Sequence, residues 1–276
     1  MEQRIICITA GQRAGTTALQ HAIALSGAAR NYGEIFQQQP DPAGDTRRAF
    51  PAFARLNAIA LADTMEGAGA AVVARRYLDW LRDGAQPKHV LIDVKLNSWF
   101  ALSPAWGYPH DEPFFLARLK QEGAVIIFLW RRDMAEQILS LFISRELGIW
   151  HNLTAERMGS GKLTAPIAKL ERLATMMCRS ESDMLEHLAD YRDRIVISYE
   201  ELYREGVPGS NFREELRALT GMVLPDKPLR IRPNAVSKRD VVTNYDAAAN
   251  AIAAVADRHR RAFDGHPEVT GARLAG

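Results

Sequence analysis

Two stretches of the chain carry residue types spaced for holding and moving an anionic group. The first, ITAGQRAGTTALQHAIAL from Ile8 to Leu25, sets Gly11, Arg13, Gly15, Thr16 and Thr17 between an apolar run and a helical pattern. A strand, a glycine-containing turn and a helix opening on two threonines leave backbone N–H groups and hydroxyls around one point, which favours an anion. Arg13 adds a planar fork of donors suited to phosphate or sulfate. The pattern is not the GxxxxGK[ST] loop of nucleoside triphosphatases, because Gly11 and Gly15 enclose three residues and no lysine precedes the threonines. A plain turn with a solvated arginine is the simpler alternative. The second stretch, AVIIFLWRRDMAEQILSLFISRELGIWH from Ala124 to His151, runs from an apolar strand into Arg131-Arg132-Asp133 and then a helix bearing Ser140. Arg132 and Ser140 converge on a second anion if the helix folds back over its loop. Otherwise the arginines cap a sheet edge and Asp133 caps the helix.

The elements that must position these residues are legible as apolar runs: Arg4 to Thr9, His89 to Lys95, Ala124 to Trp130 and Arg194 to Tyr199. Near-continuous apolarity over six or seven residues, with helical patterns between, is how parallel strands buried on both faces read. Helices are predicted over Thr16 to Ser26, Ala70 to Arg82, Asp133 to Leu147, Pro166 to Ala189, Asn211 to Leu219 and Asp246 to Phe263. For the longest, Thr164 is the expected N-cap and Pro166 sits in the first turn. Gln37 to Phe53, Asn97 to Pro113 and Pro225 to Asn244 lack a steady period and read as loops over the sheet edge. The expected fold is α/β, a P-loop-like three-layer domain whose mostly parallel central sheet is covered by helices on both faces. One domain spanning 1–276 is expected, with insertions at about 37–68 and 97–113.

A composition 47% hydrophobic and 25% charged is that of a packed globular protein. A net charge of +2 without a long basic run argues against extended nucleic-acid binding. No apolar stretch reaches the length of a signal core or a membrane span, so a cytoplasmic protein is expected. Cys7 and Cys178 lack CxxC or CxxxH spacing and read as buried thiols rather than a zinc site or disulfide. No carboxylates are spaced for Mg²⁺, so no metal is expected.

On these residues the chain resembles the sulfotransferases that use 3′-phosphoadenosine-5′-phosphosulfate (PAPS) and release PAP. Their first strand leads into an RSGST-type loop, matched here by Arg13-Ala14-Gly15-Thr16-Thr17 with Ala14 in place of the usual serine. They hold the 3′-phosphate with an arginine at a strand end and a serine eight positions later, the spacing of Arg132 and Ser140. The run RRDxxxQxxSLFxSxxxGxWH is most similar to the bacterial branch that sulfates trehalose, and more loosely to nodulation-factor and capsular-polysaccharide enzymes. Tyr199-Glu200-Glu201-Leu202 matches a YEDL-type motif whose tyrosine contacts adenine, and the loop from Val236 to Tyr245 offers Lys238 to the 3′-phosphate.

The resemblance implies in-line sulfuryl transfer to a hydroxyl, on a carbohydrate or glycolipid, with Arg13 and the Thr16 and Thr17 amides stabilising the transferred group. The histidine that many members place two residues after Lys95 is Asn97 here. The trehalose-type branch uses a glutamate after the first helix instead, which makes Glu34 the candidate general base, with His110 and His151 in reserve. Lys95 is the candidate partner of the sulfuryl or bridging oxygen. Trp99, Phe100, Trp106, Tyr108 and Trp150 are candidates for stacking on sugar. A nucleotide-dependent kinase and a non-catalytic PAP-binding module remain as alternatives, and a homodimer is left open.

Overall fold

The computed structural model describes residues 2–37, 45–60, 63, 67–103, 111–149, 162–203, 208–226 and 237–260. Trp106, Tyr108, His110, Trp150 and His151 lie outside the described residues, as does the C-terminal tail. The chain divides into two compact units, Met1–Gly11 with Gly15–Trp130 and Glu186–Leu229, and Gln12–Ala14 with Arg131–Leu185 and Arg230–Gly276.

The first unit is built on five parallel strands: β1 (Ile5–Ala10), β2 (Ala29–Glu34), β3 (His89–Lys95), β4 (Val125–Trp130) and β5 (Arg194–Ser198), in the order β2-β3-β1-β4-β5. Every residue of β1 and β3 is buried, so both faces of the sheet are covered and the apolar runs are explained. Between β1 and β2 lies helix α1 (Thr16–Ala24); α2 (Phe50–Leu56) and α3 (Gly67–Ala85) precede β3, and α4 (Phe114–Gln121) precedes β4. Right-handed crossovers that run one way from β1 to β2 and the other way from β2 onward put α1 on one face and α3 and α4 on the opposite face. Side chains agree. Gln20 of α1 reaches Asp93 on one face of β3, whereas Trp99 bonds Thr9 and packs on Phe115 of α4 on the other.

Several features of this unit differ from the sequence expectation, among them the unforeseen helices α2 and α4. β2 is a fifth strand beyond the four apolar runs; its sequence, ARNYGE, carries Arg30, Asn31 and Glu34 because it is an edge strand. Trp99, a candidate for stacking on sugar, is 1% exposed and serves as core, its Nε1 donating to Thr9 Oγ1 at 3.0 Å. Phe100 is exposed.

The second unit is helical: α5 (Met134–Leu147), most of α6 (Ile167–Leu188), α9 (Lys238–Val241) and α10 (Tyr245–Arg260). The intervening α7 (Tyr199–Leu202) and α8 (Ser210–Thr220) belong to the first unit. Its core joins Ile138 and Phe142 of α5, Leu170 and Ala174 of α6, and Ile252 and Val255 of α10. Asp133 caps α5 by accepting from the Glu136 amide at 2.8 Å. Thr164 does not cap α6 as expected: the Pro166 carbonyl accepts the first helical bonds from Lys169 and Leu170, and the Thr164 hydroxyl pairs with Thr243 at 3.0 Å. Proline sits there without cost, having no N–H to leave unpaired. Cys7 and Cys178 are buried thiols outside any disulfide. Among the described residues, no helix is long and apolar enough to cross a membrane.

Candidate functional site

The first unit gathers a buried polar cluster at the carboxyl ends of β2 and β3, the end of a parallel sheet where α/β proteins place ligands. Register sets its composition. Ala10 of β1 pairs with Lys95 of β3, and Asp93 of β3 pairs with Glu34 of β2, so the strands finish side by side. Asp93 and Lys95 are two apart on β3 and share the face covered by α1, where Thr16 and Gln20 are four apart and share a helix face. Two strand steps rise roughly 6.6 Å and four helix steps roughly 6.0 Å, so the two pairs meet in step. Gln20 Nε2 donates to Asp93 Oδ2 at 2.7 Å, Asn31 Nδ2 donates to Gln20 Oε1 at 3.2 Å, and Lys95 Nζ donates to Asp93 Oδ2 at 2.6 Å and to the Thr16 hydroxyl.

Glu34 enters this cluster through a bulge. On β3, Leu91 and Asp93 are two apart, but their partners on β2, Asn31 and Glu34, are three apart, and Gly33 between them has φ of 67°. The extra residue reverses the strand's alternation and turns Glu34 to the Lys95 face, which regular pleating would have denied it. Glu34 Oε1 stands 3.4 Å from Lys95 Nζ, and Gln37 donates to its other oxygen. The Glu34 side chain is 17% exposed and that of Lys95 7%. Burial alone favours the neutral amine, but the Asp93 and Glu34 carboxylates outweigh it and hold the Lys95 pKa above its ordinary value. A lysine facing solvent at a strand end is thereby excluded.

The same cluster adjoins the start of α1. Gly15 caps the helix in the left-handed region, φ 94°, and a Cβ built there would stand 2.5 Å from Tyr199 Cε2. Only glycine fits beneath that ring. Tyr199 opens the short helix α7, held by a capping box between Ser198 and Glu201, and its ring lies 4.9 Å from that of Tyr203. The amides of the first turn of α1, those of Thr16 and Thr17 among them, have no carbonyl one turn earlier in the helix to bond, the arrangement that suits an oxyanion.

The second unit carries its own cationic cluster. The segment Gln12–Ala14 is docked on α5 by Gln137, whose Nε2 donates to the Gln12 carbonyl at 2.8 Å, and by Ser140, whose Oγ accepts from Arg13 Nε at 3.1 Å. Gln137 and Ser140 are three apart and share a helix face. Arg13 has φ of 65°, a left-handed conformation unusual for a residue with a Cβ. Burial, and then the neighbouring Arg131, lowers its pKa. Arg13 thus joins Ser140, while Arg132 is exposed. Lys238, in the first turn of α9, pairs with Glu136, and the Tyr245 hydroxyl donates to the same carboxylate at 2.8 Å. Burial by itself raises the Glu136 pKa, but the bonds from Lys238 and Tyr245 outweigh it and bring the pKa below the usual value.

Asp93, Gln20, Asn31 and Glu136 were not foreseen from the sequence. The signal for Asp93 was present, a lone carboxylate inside the apolar run HVLIDVK, since such a residue is buried only with a partner. Among the described residues no cluster of three histidine, cysteine or acidic side chains is placed to hold a metal.

No family model matches the chain, and no curated protein sequence matches it. Among solved structures it is similar to mouse sulfotransferase SULT7A1 complexed with PAP, at 15% identity and a TM-score of 0.42, over 99% of this chain and 67% of that one. PAP is the ligand of the mouse enzyme.

Proposed function

We propose that the chain is a sulfotransferase that moves a sulfuryl group from PAPS to a hydroxyl, on a carbohydrate or glycolipid acceptor of the kind the bacterial trehalose-type enzymes use. The observation that carries the reading is the Lys95 ammonium, buried between two carboxylates and joined to the Thr16 hydroxyl at the start of α1. A phosphosulfate anchored on the first-turn amides of α1 would put its bridging oxygen within reach of Lys95. Glu34, partly buried beside it, would accept the proton of the attacking hydroxyl.

In this reading the acceptor oxygen forms its bond to sulfur as the bond from sulfur to the bridging phosphate oxygen breaks. The hydroxyl proton goes to Glu34, and the charge released on PAP is met by Lys95 and the helix amides. Arg13, Gly15, Thr16 and Thr17 serve the 5′ end of the nucleotide, Tyr199 the adenine, and Arg132, Ser140 and Lys238 the 3′-phosphate. The docking of Arg13 on Ser140 supports counting both among the phosphate ligands. The chemistry requires no metal, since positioned donors suffice for a group of this charge.

The test is transfer from PAPS to a panel of sugars by wild type and Glu34→Gln, with ATP as the competing donor. Loss of about 10²-fold or more in turnover with PAP affinity retained is the result expected of a general base. Unaltered turnover removes Glu34, and phosphate transfer from ATP replaces the sulfotransferase reading with a kinase.

A further inference from the structure

We infer that Asp93 is a positioning residue for sulfuryl transfer: it neutralises and aims Lys95, so that Glu34 is left able to take a proton. This role presupposes the sulfotransferase reading given above. A buried ammonium requires a counter-charge, and in this cluster two carboxylates stand beside one lysine. They are not equivalent. Asp93 is 0% exposed and 2.6 Å from Lys95 Nζ, whereas Glu34 is partly exposed and 3.4 Å away.

The network around Asp93 is asymmetric in the same sense. Its Oδ2 accepts from both Lys95 and Gln20, and Gln20 is braced by Asn31, while Oδ1 is buried without a hydrogen-bond partner. A carboxylate that leaves one oxygen unbonded in the core destabilises the fold unless its charge is used, and the charge it faces is Lys95. Were Glu34 the sole counter-ion, it would be committed to the ammonium and poorly basic. With Asp93 present the labour divides. Asp93 keeps Lys95 charged and pointed at Thr16, and Glu34, farther from the ammonium and at the more open edge of the cluster, is placed to exchange protons with an acceptor.

Among the described residues the charged group that stands beside Lys95 and Asp93 is Glu34 on β2, while Cys7 of β1, paired with Ile92, points to the opposite face of the sheet. α1 contributes the neutral Thr16 and Gln20. Burial, and then Asp93, pushes the Cys7 thiol well up, so it stays neutral and adds no charge to the cluster.

The first readout needs no ligand. In the full chain carrying ¹⁵N-lysine, the Lys95 Nζ resonance, assigned by its loss in Lys95→Met, is followed with pH in wild type and in Asp93→Asn. Its midpoint is expected to fall by about one to three pH units in the variant; an unmoved midpoint overturns the inference. The second readout is PAP released from PAPS with water as acceptor. The alkaline limb of its pH profile is expected to move down with the Lys95 midpoint in Asp93→Asn, and a uniform loss at every pH overturns the inference.

The double variant Lys95→Met with Asp93→Asn, a neutral pair, serves even where Asp93→Asn alone does not fold. It is expected to release PAP within about twofold of Lys95→Met, because residues acting through one group are non-additive. A further many-fold loss means that Asp93 acts elsewhere and overturns the inference. Calorimetry with PAP separates the two failures: a folded chain that binds no PAP contradicts the sulfotransferase reading, whereas the Lys95 titration judges Asp93 by itself.

Discussion

Replacing Gly15 by alanine probes the turn on which the proposed nucleotide site rests. Gly15 has φ of 94°, and an added Cβ would meet Tyr199 Cε2 at 2.5 Å and Cδ2 at 2.6 Å. The left-handed conformation costs an alanine about 1–2 kcal/mol, offset by about 0.4–1 kcal/mol through the stiffer unfolded chain. Moving the Tyr199 ring, itself packed on Tyr203, adds about 1–3 kcal/mol of overpacking. A net loss of about 2–4 kcal/mol follows for Gly15→Ala. Gly123→Ala is the control, since Gly123 has φ of 65° but nothing within 4 Å of its added Cβ, and it should lose about 1 kcal/mol. At about 2–4 °C per kcal/mol, thermal melting should separate the two variants by several degrees. PAP binding, followed by calorimetry, should fall in Gly15→Ala alone. Equal melting temperatures would refute the close approach of Tyr199 to the turn.

Two further perturbations test the bulge of β2 and an ion-pair cluster outside the site. Gly33→Ala strains the bulge at φ 67° and should cost about 1 kcal/mol while lowering turnover more than PAP affinity, because Glu34 loses its direction toward Lys95; steady-state kinetics beside PAP calorimetry checks the split. Asp45 accepts from Arg47 at 2.8 and 3.1 Å and from Arg30 at 2.8 Å, and its carboxyl is lowered to about 2, chiefly by the Arg47 bond. A depressed carboxylate stabilises the fold above its unfolded value of 3.8, and that contribution is lost as pH falls through about 2. The melting temperature of Asp45→Asn should therefore lie below wild type at neutral pH, by the equivalent of about 0.2–1 kcal/mol for so exposed a pair, and the gap should close toward pH 2 and in high salt.

Which parts of the molecule the sequence disclosed follows from where each element sits. β1, β3 and β4 are legible because strands covered on both faces must be apolar throughout, and β5, an edge strand only partly buried, because Ile195, Val196 and Ile197 still make a short apolar run. β2 is not, because an edge strand with Arg30, Asn31 and a bulge at Gly33 has neither a continuous apolar run nor a clean alternation. The eight-residue α4 was hidden at the end of a loop, too short to show a period. In the site, Lys95, Thr16 and Glu34 were identifiable by type and place. Their mutual contact was not, because it depends on the register of three strands and on one extra residue in β2, which are tertiary facts. Asp93 was overlooked inside an apolar run, although its isolation there was itself the clue.

The central claim is that this chain binds a nucleotide through phosphates at two positions and uses it as a sulfuryl donor. Calorimetry of the wild-type chain with PAP, set against 5′-AMP, tests it most directly. The account predicts PAP bound more tightly than 5′-AMP by the one to three charge-assisted bonds its 3′-phosphate adds, about 2–5 kcal/mol, with the advantage reduced in Ser140→Ala. Equal affinity for the two nucleotides, or none for either, would contradict it.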